Sequence, residues 1–249
     1  MFIQITFSPT GGTKKAADLL STAWTEKTEI DLCQREMDFS QYSFEQTDIC
    51  LVAVPSFGGR VPQTATERLQ QVQGNGAKAI LVAVYGNRAY EDTLLELADT
   101  LTAQGFQPIG GAAVVAEHSI LREFAAGRPD AADAAQLKAW SVQLKEKVLQ
   151  DGSVSLPGNR PYQKYATLPI TPKAGAECNG CGACAAKCPV GAISPEDPKQ
   201  VDEARCISCM ACVAACPQQA RKVNPLLLAG AKLKLKKALE GRKENELFL

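Results

Sequence analysis

The chain has 249 residues, of which 45% are hydrophobic, so it is long enough for one large domain or for a medium and a small one. Its 27 basic and 27 acidic residues cancel, which argues against a strongly basic nucleic-acid-binding protein and against an acidic disordered tail. No apolar run approaches the ~20 residues of a membrane span, and no secretory signal is visible, so we expect a soluble, cytoplasmic protein.

The first 150 residues alternate between segments with the patterns of strands and of helices. Strands are predicted over Phe2–Phe7, Glu29–Leu32, Asp48–Val54, Lys78–Tyr85 and Phe106–Ala116. Helices are predicted over Thr13–Trp24 and Tyr90–Ala103, and from Pro129 to about Gln150. The runs at 48–54 and 78–85 are continuously apolar, which is typical of parallel strands covered on both faces. The alternation predicts a doubly wound α/β domain.

Small and polar residues follow three of these strands, at the edge of a parallel sheet where ligands bind. The first loop, Ser8-Pro9-Thr10-Gly11-Gly12-Thr13, lies directly between a strand and a helix. Backbone N–H groups at a helix start, together with glycines and hydroxyls, suit a phosphate, although the loop has neither a Walker nor a G-x-G-x-x-G frame. The loops at 55–62 and 85–90 each join an aromatic residue to glycine, which suits a flat ring.

This pattern resembles the flavodoxin family over about residues 1–150. Flavodoxins carry an S-x-T-G-x-T loop that holds the phosphate of FMN, matched here by Ser8, Thr10, Gly11, Gly12 and Thr13. Their loops after the third and fourth strands hold the isoalloxazine ring, and the matching positions are Pro55, Ser56, Phe57, Gly58 and Gly59, then Tyr85, Gly86, Asn87 and Tyr90. The resemblance implies a five-stranded parallel sheet of order 2-1-3-4-5 that binds FMN.

Two residues near these loops have charge or proton chemistry. Arg60 departs from the acidic loop of many flavodoxins, and a positive charge near the ring would favour the reduced, anionic flavin. His118 follows the last strand at the same sheet edge, and is either a structural hydrogen-bonded histidine or a proton donor near the ring. The alternative for the whole site is a scaffold that has lost FMN, in which the Ser/Thr loop only caps a helix.

Composition and charge change near residue 150. Residues 1–150 carry 13 basic and 18 acidic side chains, whereas residues 151–249 carry 14 basic and 9 acidic ones. The stretch Leu156–Pro172 contains four prolines, a frequency that predicts an extended, semi-rigid connector. We therefore expect a linker over 151–175 between a first domain, 1–150, and a second domain, 176–224.

Eight of the ten cysteines lie between Cys178 and Cys216. They form an internal repeat, in which the motif C-x-x-C-x-x-C-x-x-x-C-P begins at Cys178 and again 28 residues later at Cys206. With no export signal, metal is favoured over disulfides for such a cluster. The remaining two, Cys33 and Cys50, are predicted to be small buried side chains.

The repeat resembles the run of bacterial ferredoxins that holds two [4Fe–4S] clusters. Three closely spaced cysteines wrap one corner of a cube, and the fourth lies too far along the chain to close the same cube. One cluster is therefore assigned to Cys178, Cys181, Cys184 and Cys216, and the other to Cys206, Cys209, Cys212 and Cys188. Zinc and disulfides are the alternatives. Residues 176–224 contain no aromatic side chain, so we expect a small α+β ferredoxin domain held together by its clusters.

Residues 225–249 form a basic tail. Its apolar residues recur at helical spacing, which predicts an amphipathic helix with a stripe of Leu228, Ala231, Leu235 and Leu239. Such a helix either packs its stripe on the rest of the protein or docks against an acidic partner.

Together the halves resemble the flavodoxin–ferredoxin fusion proteins of anaerobic bacteria and archaea, over nearly the whole chain. The resemblance implies an electron-transfer protein that passes electrons between FMN and two [4Fe–4S] clusters, and on to or from redox partner proteins in anaerobic metabolism. The alternatives are an FMN-dependent reductase of a small molecule fed by its clusters, and a structural iron–sulfur partner of a larger complex. No dinucleotide fingerprint is present, so we expect no direct reduction by NAD(P)H. The sequence favours an electron carrier over an enzyme and leaves open whether the chain forms a homodimer.

Overall fold

The computed structural model describes residues 1–150, 152–165 and 170–249. Its larger domain is built on five parallel strands, which are β1 (Phe2–Thr6), β2 (Thr28–Asp31), β3 (Ile49–Pro55), β4 (Lys78–Tyr85) and β5 (Gln107–Val115). The strands lie in the order β2-β1-β3-β4-β5, and every neighbouring pair is parallel. This is the flavodoxin-like order of a doubly wound sheet, and it confirms the predicted fold class.

Four helices cover the two faces of this sheet. They are α1 (Gly12–Leu20), α2 (Gln63–Leu69), α3 (Thr93–Ala103) and α4 (Ala131–Lys147). Leu20 of α1 and Leu137 of α4 belong to one apolar layer, while Leu69 of α2 and Leu97 of α3 belong to the other. Because both faces are covered, β3 and β4 are buried almost throughout, which explains their continuous apolar runs.

Two helices on this side of the sheet differ from the predictions, one in its first residue and one because it was not predicted. The helix predicted over Tyr90–Ala103 begins at Thr93, because Asn87 and Glu91 have φ of 64° and 41°, which a continuing helix cannot contain. The sequence analysis also missed α2, a seven-residue helix in which Ala65 and Leu69 are the buried side chains. Two apolar positions in one short segment are too few to produce a helical periodicity.

The smaller domain contains a two-stranded antiparallel sheet and two four-residue helices. Strand β6 (Lys173–Ala174) pairs with β7 (Arg221–Lys222), and α5 (Ala183–Ala186) and α6 (Ala211–Ala214) each carry one cysteine of the repeat. Strand β6 lies just before the predicted boundary at residue 176, within the segment predicted as a linker. Ile170 of the same segment packs against Met210 and Ala231.

The C-terminal tail is only partly helical, which corrects the helix predicted over 225–249. Helix α7 (Pro225–Leu239) ends where Glu240 takes an extended backbone, and the strand β8 (Glu246–Phe248) follows. Strand β8 pairs antiparallel with β5 and becomes the sixth strand of the large sheet. The last residues of the chain thus belong structurally to the first domain, since the edge of β5 offers unpaired backbone groups that a further strand can satisfy.

Residues 152–165 of the predicted linker, which we call the strap, pack against the first domain. The backbone N–H groups of Asn159 and Gln163 donate to the carboxylate of Asp92 at 2.9 and 2.7 Å, and Arg160 pairs with Asp99. Asp151 and residues 166–169 of the predicted linker lie outside the described residues. No helix within the described ranges is long and apolar enough to cross a membrane.

Candidate functional site

The loop between β1 and α1 presents free backbone donors at a helix start. The hydroxyl oxygen of Ser8 accepts a hydrogen bond from the Lys14 N–H at 2.8 Å, and Gly11 adopts a left-handed φ of 89°. Within the described residues, the backbone N–H groups of Thr10, Gly12 and Thr13 donate to no protein acceptor. Orphan donors at the positive end of a helix fit an anionic group such as a phosphate. Ser8 thus satisfies one backbone N–H group in the first turn of the helix, whose N-cap is Gly11.

A cavity of about 430 Å³ opens at the carboxyl ends of β3 and β4, a volume typical of small-molecule sites. The loops after these strands form its floor. The strap, helix α7 and the segment 207–208 of the smaller domain close over it. Its lining residues are Ser56, Phe57, Gly58, Gly86, Arg88, Ala89, His118, Ser119, Ile120, Gln163, Lys164, Ile207, Ser208, Lys234 and Leu235. Both domains therefore contribute to one site.

A narrower pocket connects this cavity to the β1–α1 loop. Thr10, Gly12 and Thr13 line it, as do Pro55 and Tyr85. The pocket and the cavity share five lining residues, which are Ser56, Phe57, Gly86, His118 and Ser119. The arrangement is a continuous path from free N–H donors to a broader space beside an aromatic side chain, which is a shape that fits a phosphate joined to a flat ring.

Two of the residues expected to hold the ring have their side chains turned to the C-terminal tail. The Asn87 side-chain amide donates to the carbonyls of Leu239 and Gly241 at 2.6 and 2.7 Å. Tyr90 interacts with Glu246 of β8. Burial is the first cause that raises the pKa of Tyr90, and the nearby Glu246 carboxylate adds to it. The tail therefore holds this loop through Asn87 and Tyr90. The residues of the loop that line the cavity are Gly86, Arg88 and Ala89.

The remaining predicted ring contacts are divided between the cavity and the strap. Tyr85 lines the narrow pocket, while its hydroxyl donates to the Glu244 carbonyl at 3.3 Å. Gly59 has φ of 84°, and a Cβ there would collide with the carboxylate of Glu91 and the amide of Gln163. Gly59 thus lies against side chains that hold the strap, and of these two adjacent glycines only Gly58 lines the cavity.

Arg60 does not place a free charge beside the ring site, which corrects the sequence-based expectation. Its guanidinium makes two hydrogen bonds of 2.7 Å to the Glu96 carboxylate and donates to the Gln163 carbonyl at 2.6 Å. Both partners of this ion pair are largely buried. Because Glu96 is distant in sequence, no local pattern around Arg60 reveals the neutralisation. The cations that line the cavity are Arg88, Lys164 and Lys234, and Arg88 is paired with Glu91.

His118 lies where the cavity and the narrow pocket meet. Its Nδ1 atom accepts hydrogen bonds from the backbone N–H groups of Ile120 and Leu121, both at 3.1 Å, so the proton of the neutral ring sits on Nε2. Burial lowers the pKa of His118 below its ordinary value and favours this neutral form. Among the described residues Nε2 has no protein partner, so it remains a donor available at the junction.

The eight clustered cysteines line two separate voids. One void is lined by Cys188, Cys206, Cys209 and Cys212, and the other by Cys178, Cys181, Cys184 and Cys216. In each void, three cysteines come from one run and the fourth from the other run. Backbone N–H groups point at two of the sulfurs, from Ala192 to Cys188 Sγ at 3.2 Å and from Ala220 to Cys216 Sγ at 3.3 Å. Such donors stabilise thiolate ligands of a cluster.

The void lined by Cys188, Cys206, Cys209 and Cys212 adjoins both the narrow pocket and the large cavity. Cys209 lines both the void and the narrow pocket, and Ile207 lines both the void and the large cavity. Cys33 and Cys50 line neither void, although the Cys33 thiol lies against the backbone of Ser8. Burial raises the pKa of each thiol to about 12, as expected of cysteines that act as apolar packing groups.

Comparisons with known proteins give one family match and several similar structures. Residues 177–221 match the 4Fe-4S dicluster domain family, and no curated protein has a significant sequence match to the chain. A flavodoxin from Streptococcus pneumonia TIGR4 is 19% identical, with 59% of this chain and 99% of that one covered and a TM-score of 0.42. A Fusobacterium nucleatum flavodoxin bound to flavin mononucleotide is 14% identical, with 58% and 97% covered and a TM-score of 0.39.

Fold and site together define the class of protein. The sheet order gives the first domain a flavodoxin-like fold, and residues 177–221 of the second domain match the 4Fe-4S dicluster domain family. The chain therefore joins a domain of flavodoxin-like fold to a segment that is similar to an iron–sulfur family.

Proposed function

We propose that this chain is an electron-transfer protein that binds FMN and two [4Fe–4S] clusters and exchanges electrons with redox partner proteins of anaerobic metabolism. The observation that carries the proposal is the position of Cys209, which lines both the void of four cysteines and the pocket that leads to the β1–α1 loop. A cluster in that void and a flavin in that pocket would be direct neighbours, without a protein layer between them.

The residues of the FMN site have separate tasks in this proposal. The free N–H groups of Thr10, Gly12 and Thr13 hold the phosphate, supported by the dipole of α1. Phe57 and Gly86 bound the ring, and His118 offers its Nε2 proton to it. When bound, FMN supplies one- or two-electron chemistry, and each cluster supplies one-electron chemistry.

The cysteine ligands are assigned from the two voids. The cluster next to the flavin pocket, which we call the near cluster, takes Cys188, Cys206, Cys209 and Cys212. The other, which we call the far cluster, takes Cys178, Cys181, Cys184 and Cys216. Cys181 is exposed at the surface, so the far cluster is the more accessible of the two to a partner protein.

The proposal is tested by rapid photoreduction of the clusters in the anaerobic protein, followed through the flavin absorption spectrum. Flavin reduction should be fast and independent of protein concentration over a tenfold range. Cys188→Ser, which damages the near cluster, should abolish the fast phase, whereas the matched Cys216→Ser should preserve it when the near cluster is photoreduced. Flavin reduction that is slow and scales with concentration contradicts coupling within one molecule. Rapid bleaching by NADH or NADPH alone identifies a reductase instead of a carrier.

A further inference from the structure

A buried arginine lies beside the void of the far cluster. Arg221 begins strand β7, is only 2% exposed, and lines the same void as Cys178, Cys181, Cys184 and Cys216. Its guanidinium donates to two backbone carbonyls, those of Pro172 at 3.1 Å and of Pro198. Both are neutral acceptors. A fully buried cation with only neutral partners carries a large desolvation cost.

No carboxylate within the described residues balances the charge of Arg221. Throughout residues 1–150, 152–165 and 170–249, no carboxylate forms an ion pair with Arg221, and its buried Nε atom has no hydrogen-bond partner. Its neighbour Lys222 behaves differently, since it is exposed and lies 3.7 Å from Glu177. The arginine therefore fits the void only when an anionic group occupies it, and a cluster held by four thiolates is such a group.

The internal repeat provides a built-in comparison for this position. The 28-residue offset that relates Cys188 to Cys216 also relates Ile193 to Arg221. Ile193 is equally buried, at 3%, and lines the void of the near cluster. The backbone donors to sulfur are also related by the repeat, as Ala192 to Cys188 and Ala220 to Cys216. Equivalent places beside the two voids thus hold an apolar side chain in one case and a buried positive charge in the other.

We infer that Arg221 is a positioning and charge-balancing residue that gives the far cluster a higher reduction potential than the near cluster. One-electron reduction adds a negative charge to a cluster, and a fixed cation a short distance away in a low-dielectric interior stabilises that added charge. Ile193 offers no such stabilisation to the near cluster, which feels the charge of Arg221 only from outside its own void, through Cys212. At equilibrium, electrons that enter at the near cluster would therefore reside mainly on the far cluster. This inference rests on the proposed binding of two clusters.

The test is an anaerobic redox titration of the cluster signals by electron paramagnetic resonance in the full-length, cofactor-loaded protein. Wild type should show two separate cluster potentials. Arg221→Ile, which copies the residue of the first repeat, should lower the higher potential by at least about 59 mV, the equivalent of a tenfold change in a one-electron equilibrium constant. Arg221→Lys should retain most of the separation. The matched control, Lys222→Gln, removes the same formal charge from an exposed neighbour and should leave both potentials nearly unchanged.

The outcomes separate this inference from the proposed function. If the iron and sulfide contents exclude a second cluster, both the inference about Arg221 and the proposed function are wrong. Two clusters with coincident potentials in wild type overturn the inference alone, without requiring any variant to fold. A separation that persists in Arg221→Ile, or that collapses equally in Lys222→Gln, also overturns it.

Discussion

The carboxylate of Asp133 at the start of α4 accepts a hydrogen bond from the side chain of Asn245, 112 residues later in the chain, at 3.0 Å. The same carboxylate is held by Arg128 through two hydrogen bonds of 2.8 and 2.6 Å. Asn245 in turn accepts from the backbone N–H of Val115 at the end of β5. All of these groups are buried, so a polar network holds the C-terminal tail on the first domain.

The first prediction concerns this network. Asp133→Asn should lower the free energy of unfolding by about 3 kcal/mol, because it leaves the buried Arg128 without its counter-charge. Thermal unfolding at pH 7 measures the effect. Arg160→Gln, which breaks the more exposed pair with Asp99, is the control and should change the melting temperature little. A loss in Asp133→Asn no greater than in this control contradicts the importance of the network.

The same carboxylate predicts a pH dependence. Burial alone opposes ionisation of Asp133, but the hydrogen bonds from Arg128, the Asp130 backbone and Asn245 together hold its pKa far below the ordinary value. A lowered folded-state pKa contributes stability above the unfolded value of ~3.9, and that contribution disappears as the pH falls below it. The stability difference between wild type and Asp133→Asn should therefore be full at pH 6 and should shrink progressively below about pH 4. A difference that grows on acidification contradicts this sign.

The second prediction concerns the loop after β4. Asn87 is buried with φ of 64°, and its side chain binds two carbonyls of the tail. Asn87→Ala loses these bonds and adds strain, whereas Asn87→Gly loses the bonds but adopts this φ freely. We expect both to destabilise the protein, and Ala more than Gly by ~1 kcal/mol in urea unfolding. Equal stability of the two variants would show that the backbone relaxes at this position.

The third prediction concerns the phosphate. Thr10→Ala or Thr13→Ala should weaken FMN binding by ~1 kcal/mol, about fivefold, through loss of a hydroxyl contact to the charged group. Fluorescence titration with FMN measures the dissociation constant. Thr22→Ala just beyond the other end of α1, where the hydroxyl donates to the Leu19 carbonyl, is the control. Riboflavin, which lacks the phosphate, should bind to wild type much more weakly than FMN. Equal affinity for the two would show that this loop does not bind the phosphate.

The fourth prediction concerns cluster ligation. Wild-type protein prepared without oxygen should hold about eight irons and eight sulfides, as two four-cysteine sites require. Cys188→Ser should damage the cluster of Cys206, Cys209 and Cys212, and Cys216→Ser that of Cys178, Cys181 and Cys184, because each void mixes the two runs. Cys33→Ser should retain full iron. If each substitution damaged only the cluster bound by the other cysteines of its own run, the assignment of Cys188 and Cys216 to the opposite clusters would be wrong.

The sequence alone was sufficient where burial follows from local pattern. Strand β4 was predicted over Lys78–Tyr85 and is observed over those residues, and β1 differs by one residue at its end. The β4 segment is an apolar run, and β1 has apolar residues at alternate positions, so both local patterns indicate a strand without knowledge of its partner. The cysteine spacing likewise indicated an iron–sulfur segment, and residues 177–221 match the 4Fe-4S dicluster domain family.

Tertiary structure decided what depends on residues that meet only after folding. Strand β8 has three residues and no signal of its own, and it forms because the edge of β5 accepts it. Arg60 faces Glu96 rather than the cavity, a fact that no local motif carries. The sequence showed Arg221 at the place of Ile193 in the repeat, but only the packed domain showed that this arginine is buried beside four thiols without a carboxylate among the described residues. Periodicity and spacing report local burial and geometry, whereas charge pairing and strand addition depend on which distant groups the fold brings within a few ångströms of each other.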